Sequence, residues 1–304
     1  MKKISLRLIF LSLPFFIFLL VPLPENSYNL AIADKHRLLQ TEKAKFVLAG
    51  GSNLSFGIDS GALEDAFNVS VVNMGINAGF GLGRILDDIS PFLNTGDILL
   101  IVPEYAHFTT LWNGNGIAYE AIFDARQYQL LWHPGYYDMP IDCFNYLSTK
   151  YEAVKYFLTP QASRNPNVYY RDGFNKYGDY IKHLKNNNGK VLINNDIGDI
   201  TRQYIQYFFR FIDDFNARGI TVLLSYPSYE SNSFVNNEKL IRELDMLFRK
   251  KEGLVVISKP EDYSYPKDFF YDTVYHLNAK GRKMRTDNLI TDIKTSGILV
   301  PSFP

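Results

Sequence analysis

The chain has 304 residues, with 32 Lys and Arg balanced by 32 Asp and Glu, 46% hydrophobic residues and one cysteine. This length supports one large domain or two modest ones around a buried core, and it excludes disorder and low-complexity fibre. Zero net charge leaves no whole-protein field to draw in nucleic acid, and Cys143, standing alone, excludes an intrachain disulfide framework or a thiolate zinc cluster and reads as a small buried hydrophobe.

Lys2, Lys3 and Arg7 precede Leu8–Pro24, a run of 17 residues without a charge. With Ile4–Leu6 counted and Arg7 snorkelling, the stretch approaches the ~20 residues needed to cross ~30 Å of hydrocarbon. Positive charge on its N-terminal side predicts a single-pass anchor with the N-terminus inside and everything after Pro24 on the outer face. Residues 1–24 are therefore expected to be a membrane anchor, with a cleavable signal ending near Ala31-Ile32-Ala33 as the rival reading. The mixed polar segment 25–44, with a short helix near Asp34–Thr41, reads as a stalk.

Beyond it lies the expected folded domain, residues 45–300. Nearly continuous apolar runs at Phe46–Ala49, Val69–Val72, Ile98–Val102, Ile220–Leu224 and Leu254–Ile257 fit parallel strands buried on both faces. Apolar spacings of three and four predict helices over Gly61–Phe67, Leu82–Leu93, Ile200–Arg218 and Asn237–Lys251. Gly219 stands where the third of these should stop. Alternating strands and helices predict an α/β domain built on a mostly parallel sheet with right-handed crossovers.

The third and fourth strands are separated by Pro103–Gly219, far more than a crossover needs, so an inserted lid over 105–200 is expected. It is rich in aromatic residues, among them Trp112, Tyr119, Phe123, Trp132, Tyr136, Tyr137, Tyr151, Tyr156, Phe157, Tyr169 and Tyr170. Leaving from the carboxyl end of a strand, it is placed to wall a ligand site, or its aromatics build a core of its own.

Three segments carry residue types suited to chemistry. After the first strand the sequence reads AGGSN, which puts Ser52 on a sharp strand-to-helix turn where backbone N–H groups can hold an oxyanion. A phosphate-cradling turn or a simple N-capping serine would use the same residues. After the second strand, NMGINAGFGLG supplies Gly75 and Gly79 as further N–H donors, or a loop needed only for chain reversal. Near the C-terminus, YDTVYHLNAKG places Asp272 four residues before His276, a carboxylate and a base of the kind a serine hydroxyl needs. Asp179 and His183 repeat that spacing inside the insertion and read as lid packing. No third metal ligand accompanies either pair.

The order of a serine after strand one, a glycine loop after strand two, and Asp and His before the last helix resembles the SGNH (GDSL-like) hydrolase superfamily. The resemblance implies a three-layer α/β/α fold with a flavodoxin-like sheet of about five strands. It implies Ser52 as nucleophile, His276 as general base and acid, Asp272 as its orienter, and the N–H groups of Ser52 or Asn53 with Gly79, then Gly75, as oxyanion donors. Asn77, Glu104 and Tyr105 are the candidate substrate-site residues. Three features depart from the pattern: Gly51 where Asp is frequent, an Asp-to-His spacing one residue longer than usual, and Glu104 in VPEY where an Asn donor is expected.

With its anchor, the layout is similar to the branch that acts on cell-surface polymers. It implies an extracytoplasmic acyl-ester hydrolase or O-acyltransferase working on an acylated or acyl-accepting glycan, without cofactor, metal or nucleic acid, beside a polytopic membrane acyltransferase. The alternative is an inactive glycan-binding or membrane-complex accessory protein on the same fold, favoured by Glu104. A phosphoryl-transfer enzyme would need clustered metal-binding carboxylates, which the sequence does not supply.

Overall fold

The computed structural model describes residues 13–15, 17–40, 45–120, 124, 139–159, 169–185, 191, 193–194 and 196–298. Its first half runs α1 (Ala31–Leu39), β1 (Lys45–Gly50), α2 (Ser52–Gly57), α3 (Ser60–Phe67), β2 (Ser70–Asn73), α4 (Leu82–Ile89), β3 (Ile98–Val102) and α5 (Met139–Leu158). The second half runs α6 (Arg202–Ala217), β4 (Thr221–Leu224), β5 (Tyr229–Glu230), α7 (Ser231–Asn236), α8 (Glu238–Arg249), β6 (Val255–Val256), β7 (Ser264–Tyr265) and α9 (Ala279–Thr295).

Five strands form a parallel sheet in the order β2-β1-β3-β4-β6. The reason lies in the continuous apolar runs. Successive side chains of a strand point to opposite faces, so Val47, Ala49, Leu99, Ile101, Val222 and Leu224 enter one core while Phe46, Leu48, Ile98, Leu100, Val102 and Leu223 enter another. The first face is covered by α1, α4, α6 and α8 through residues such as Ile32, Leu86, Phe208 and Leu244. The second is covered by α2, α3 and α9 through Leu54, Leu63, Leu289 and Ile293. Each fully buried Val, Leu, Ile or Phe among them contributes about 1.5–3 kcal/mol. The helix expected over Leu82–Leu93 ends at Ile89 and continues as a 3-10 turn over Ser90–Phe92, because Pro91 has no N–H to extend the ladder.

At the amino end of the sheet, Lys45 Nζ lies 2.9 Å from Asp97 Oδ2 with both side chains fully buried. The Asp97 carboxylate also accepts the Lys45 N–H at 2.9 Å and the Asn94 N–H at 2.8 Å, tying the start of β1 to the turn before β3.

Two expectations fare differently. The segment read as a stalk is packed onto the domain, since Tyr28, Ala31, Ile32 and Leu39 belong to the first core and Lys35 donates from a buried position to the carbonyls of Asn73 (2.7 Å) and Gly178. The same segment straps the insertion: Ser27 bridges Tyr170, the Arg171 N–H donates to the Asn26 carbonyl (3.0 Å), and Arg171 pairs with Asp34 at 2.6 Å. Burial of apolar side chains at helical spacing outweighed the polar composition that suggested a stalk. As for the anchor, residues 1–12 and 16 lie outside the described residues, and among those described no helix is long and apolar enough to cross a membrane.

Within the insertion, Trp112 stacks on Tyr204 of α6 with ring centroids 6.0 Å apart, and Phe108 packs edge-on against Phe208 at 5.4 Å. These aromatics join the main core instead of building a separate one. Phe123, Trp132, Tyr136, Tyr137, most of 186–195 and the side chains of Cys143 and Tyr156 lie outside what is described.

Candidate active site

In an open parallel sheet the crevice forms at the carboxyl ends of strands, where the strand order reverses. Here that point lies between β1 and β3, so Ser52 after β1 and Glu104 after β3 face each other across it. Gly50 is needed for the approach, since a Cβ there would sit 2.3 Å from the Val102 carbonyl oxygen.

The structure brings Ser52, His276 and Asp272 together. Ser52 Oγ lies 2.8 Å from His276 Nε2, and His276 Nδ1 lies 2.8 Å from Asp272 Oδ1. A carboxylate can only accept, which places the proton on Nδ1 and leaves the Nε2 lone pair to take the serine proton. The longer Asp-to-His spacing is accommodated by Thr273, whose hydroxyl oxygen accepts the N–H groups of Tyr275 (3.2 Å) and His276 (3.1 Å) and folds the segment back. Asn278 then caps α9, accepting from Lys280 and Gly281 at 3.1 Å.

Sequence reasoning placed Tyr169 in the insertion without a role. Its hydroxyl donates to Asp272 Oδ2, and its oxygen lies 3.0 Å from His276 Nδ1, so the Nδ1–H is shared between carboxylate and phenol. Burial works to raise the Asp272 carboxyl, but the hydrogen bond and charge of His276, helped by Tyr169, outweigh it and hold the group below its ordinary value. Phe56, four residues after Ser52 on α2, stacks on the imidazole with centroids 4.0 Å apart and planes 9° from parallel. The i, i+4 spacing within SNLSF was a usable signal for that contact, whereas nothing local marks Tyr169.

Asp179 and His183 do not bond to each other. Asp179 accepts from Ser60, Asn73, Asn175 and Arg282 and so joins the insertion to α3, β2 and α9. His183 donates from Nε2 to the Leu277 carbonyl at 2.8 Å, and burial pushes it down to about 4.

The expected oxyanion donors are placed less simply. The Gly79 N–H donates to Asn77 Oδ1 and the Gly75 N–H to Asn73 Oδ1, both at 2.9 Å. These are two Asx turns, legible afterwards in the repeated N-x-G of NMGINAG. The Asn53 N–H donates to Glu104 Oε1 at 3.1 Å. The same oxygen accepts from Ser52 Oγ at 3.3 Å and from Asn53 Nδ2 at 3.4 Å. Glu104 is buried, and burial raises its carboxyl above the ordinary value against the opposing pull of the Asn53 N–H, His276, the Asn53 amide and Ser52. The Tyr105 ring is buried and meets Tyr229 edge-on at 5.2 Å. Among the described residues no group of three or more His, Cys, Asp or Glu is arranged to hold a metal ion.

Compared with known proteins, the chain matches no family model and no curated protein at significant similarity.

Proposed function

We propose that the protein is a serine-dependent acyl-ester hydrolase or O-acyltransferase of SGNH-like design, held at the outer face of a membrane by its N-terminal segment and acting on a cell-surface polysaccharide. The observation that carries this reading is the continuous relay from Ser52 Oγ through His276 to Asp272, with both links at 2.8 Å. Its position at the carboxyl ends of a parallel sheet supports it further.

In the first step Ser52 Oγ bonds to the acyl carbonyl carbon, the C=O π pair moves to oxygen, and the serine proton passes to His276 Nε2. Collapse restores the C=O bond and expels the donor alkoxide, which takes that proton from His276. Water or a sugar hydroxyl then attacks the acyl-enzyme by the same route, with His276 taking the attacker's proton and returning it to Ser52. Which of them arrives decides between hydrolysis and transfer, and a polytopic membrane acyltransferase is the proposed supplier of acyl groups.

A second reading is favoured by one observation: Glu104 stands beside Ser52 where a donor is expected, as it would in an inactive glycan-binding relative. Fluorophosphonate labelling separates the two. The enzyme reading expects an adduct at Ser52, mapped by mass spectrometry, that is lost in Ser52→Ala and falls by roughly 10³–10⁴-fold in His276→Ala and Asp272→Asn. A folded wild-type chain that takes no label would refute it.

A further inference from the structure

On the reading just proposed, negative charge develops on the acyl oxygen next to Ser52, within reach of the first N–H groups beyond it. Glu104 already occupies that neighbourhood. Its Oε1 holds the Asn53 N–H at 3.1 Å and Ser52 Oγ at 3.3 Å. Gly51 makes the room, because a Cβ there would lie 2.4 Å from Oε1 and 2.8 Å from the carboxyl carbon of Glu104. The two departures at 51 and 104 are therefore one arrangement: the side chain absent from the first position leaves the space that the second one fills.

An ionised carboxylate and an acyl oxyanion cannot share this buried place, since like charges a few ångströms apart in a low-dielectric site do not both persist. A neutral carboxyl can share it, because it carries an O–H to donate. Resting on the serine-hydrolase reading, we propose that Glu104 is a catalytic residue that gates the site by its protonation. The neutral carboxyl donates its O–H to the acyl oxyanion, whereas the ionised carboxylate keeps the Asn53 N–H, competes for the Ser52 proton and closes the site. The Glu104 proton stays on its oxygen throughout, while the serine proton alone moves to His276.

The surroundings suit this role. From the 271–278 segment the His276 ring faces Glu104, and among the described residues no Lys or Arg lies within ion-pair distance of it. Tyr28 before α1, Tyr229 on β5 and Tyr275 beside His276 also face it, and burial raises all three hydroxyls, Tyr229 to about 12, so they stay neutral. On its own turn, His107 Nδ1 accepts the Glu104 N–H at 3.0 Å, and burial pushes that imidazole down to about 4. Glu104 is thus a buried acid with polar partners and no permanent counter-charge among them.

The test is the rate of fluorophosphonate labelling of Ser52 against pH, on the full chain in detergent, for wild type, Glu104→Gln and Glu104→Ala. In this reaction an Oγ–P bond forms, the P–F bond breaks with loss of fluoride, and the serine proton passes to His276. Wild type is expected to fall about tenfold per pH unit as Glu104 ionises. Glu104→Gln, a fixed neutral donor, loses the fall, so it outpaces wild type on the alkaline side by about tenfold or more. Glu104→Ala also loses the fall but, lacking a donor, runs about 10²-fold below the Gln variant at every pH. If either folded variant retains the alkaline fall of wild type, or if wild type is fastest where the Gln variant is inert, the gate is refuted while the labelled serine stands. If no variant labels at any pH, the serine reading falls and the gate falls with it.

Discussion

Asp97 and Glu104 bracket the same strand, β3, and both are buried, yet they are treated in opposite ways. Asp97, at the amino end, faces the ammonium of Lys45 at 2.9 Å and accepts two backbone N–H groups besides, so its charge is matched in place. Glu104, at the carboxyl end, gathers Ser52 and Asn53 and no ammonium or guanidinium among the described residues. A buried carboxylate joined to an ammonium ties two segments together and serves the fold. One given only polar partners stands where the chemistry is proposed. The sheet thus has a paired acid at one end and an acid without an ion-pair partner among the described residues at the other.

Neutralising each acid in turn tests the contrast. The largest effect is expected from Asp97→Asn, which strands a buried Lys45 ammonium. Urea unfolding should record a loss of about 3–5 kcal/mol, while the pH profile of Ser52 labelling in the folded protein keeps its shape. An equal shift in that profile would end the distinction between the two acids.

Glu104→Gln should behave differently in the same assay. Because burial raises the Glu104 carboxyl, wild-type stability is full below the ordinary glutamate range and is lost as pH rises toward the raised native value. The Gln variant lacks that loss. Its stability relative to wild type should therefore improve as pH rises from the ordinary glutamate range toward the raised native value, and a difference constant with pH would contradict the assignment.

The smallest effect is expected at a third acid, Asp272, when the acid is kept and only a neighbour that hydrogen-bonds to it is changed. Tyr169→Phe removes the O–H to Asp272 Oδ2 and leaves the Nδ1 link intact, so labelling should slow by about tenfold without disappearing. A rate unchanged within error would reduce Tyr169 to packing.

How much of this was legible in the sequence follows from how local each signal is. Four strands fall within a residue or two of their apolar runs because continuous burial on both faces leaves few alternatives, and the fifth shrinks to Val255–Val256 at the sheet's edge. Ser52, Asp272 and His276 were legible because each sits in a short segment with its own turn chemistry. The engagement of Gly75 and Gly79 was missed although N-x-G announces an Asx turn, because a glycine-rich loop was read for its freedom and not for its neighbours. Tyr169 was beyond reach, being 103 residues from Asp272 and one among many aromatics. The docking of residues 28–39 was likewise hidden, since the apolar stripe of Ala31, Ile32 and Leu39 is interrupted by Lys35, His36 and Arg37, and their partners lie elsewhere in the chain.

The strap formed by residues 26–34 governs how the protein can be cut. Tyr169 is seated by its neighbours: Tyr170 and Arg171 are held by Ser27, Asn26 and Asp34, and the Tyr28 ring meets Tyr169 edge-on at 5.6 Å. A recombinant domain begun at β1 would retain Ser52, His276 and Asp272 and still lose the clamp that positions the Tyr169 phenol behind them. The shortest piece suited to biochemistry accordingly starts upstream of Asn26, and a loss of reactivity confined to anything shorter would report on the missing clamp.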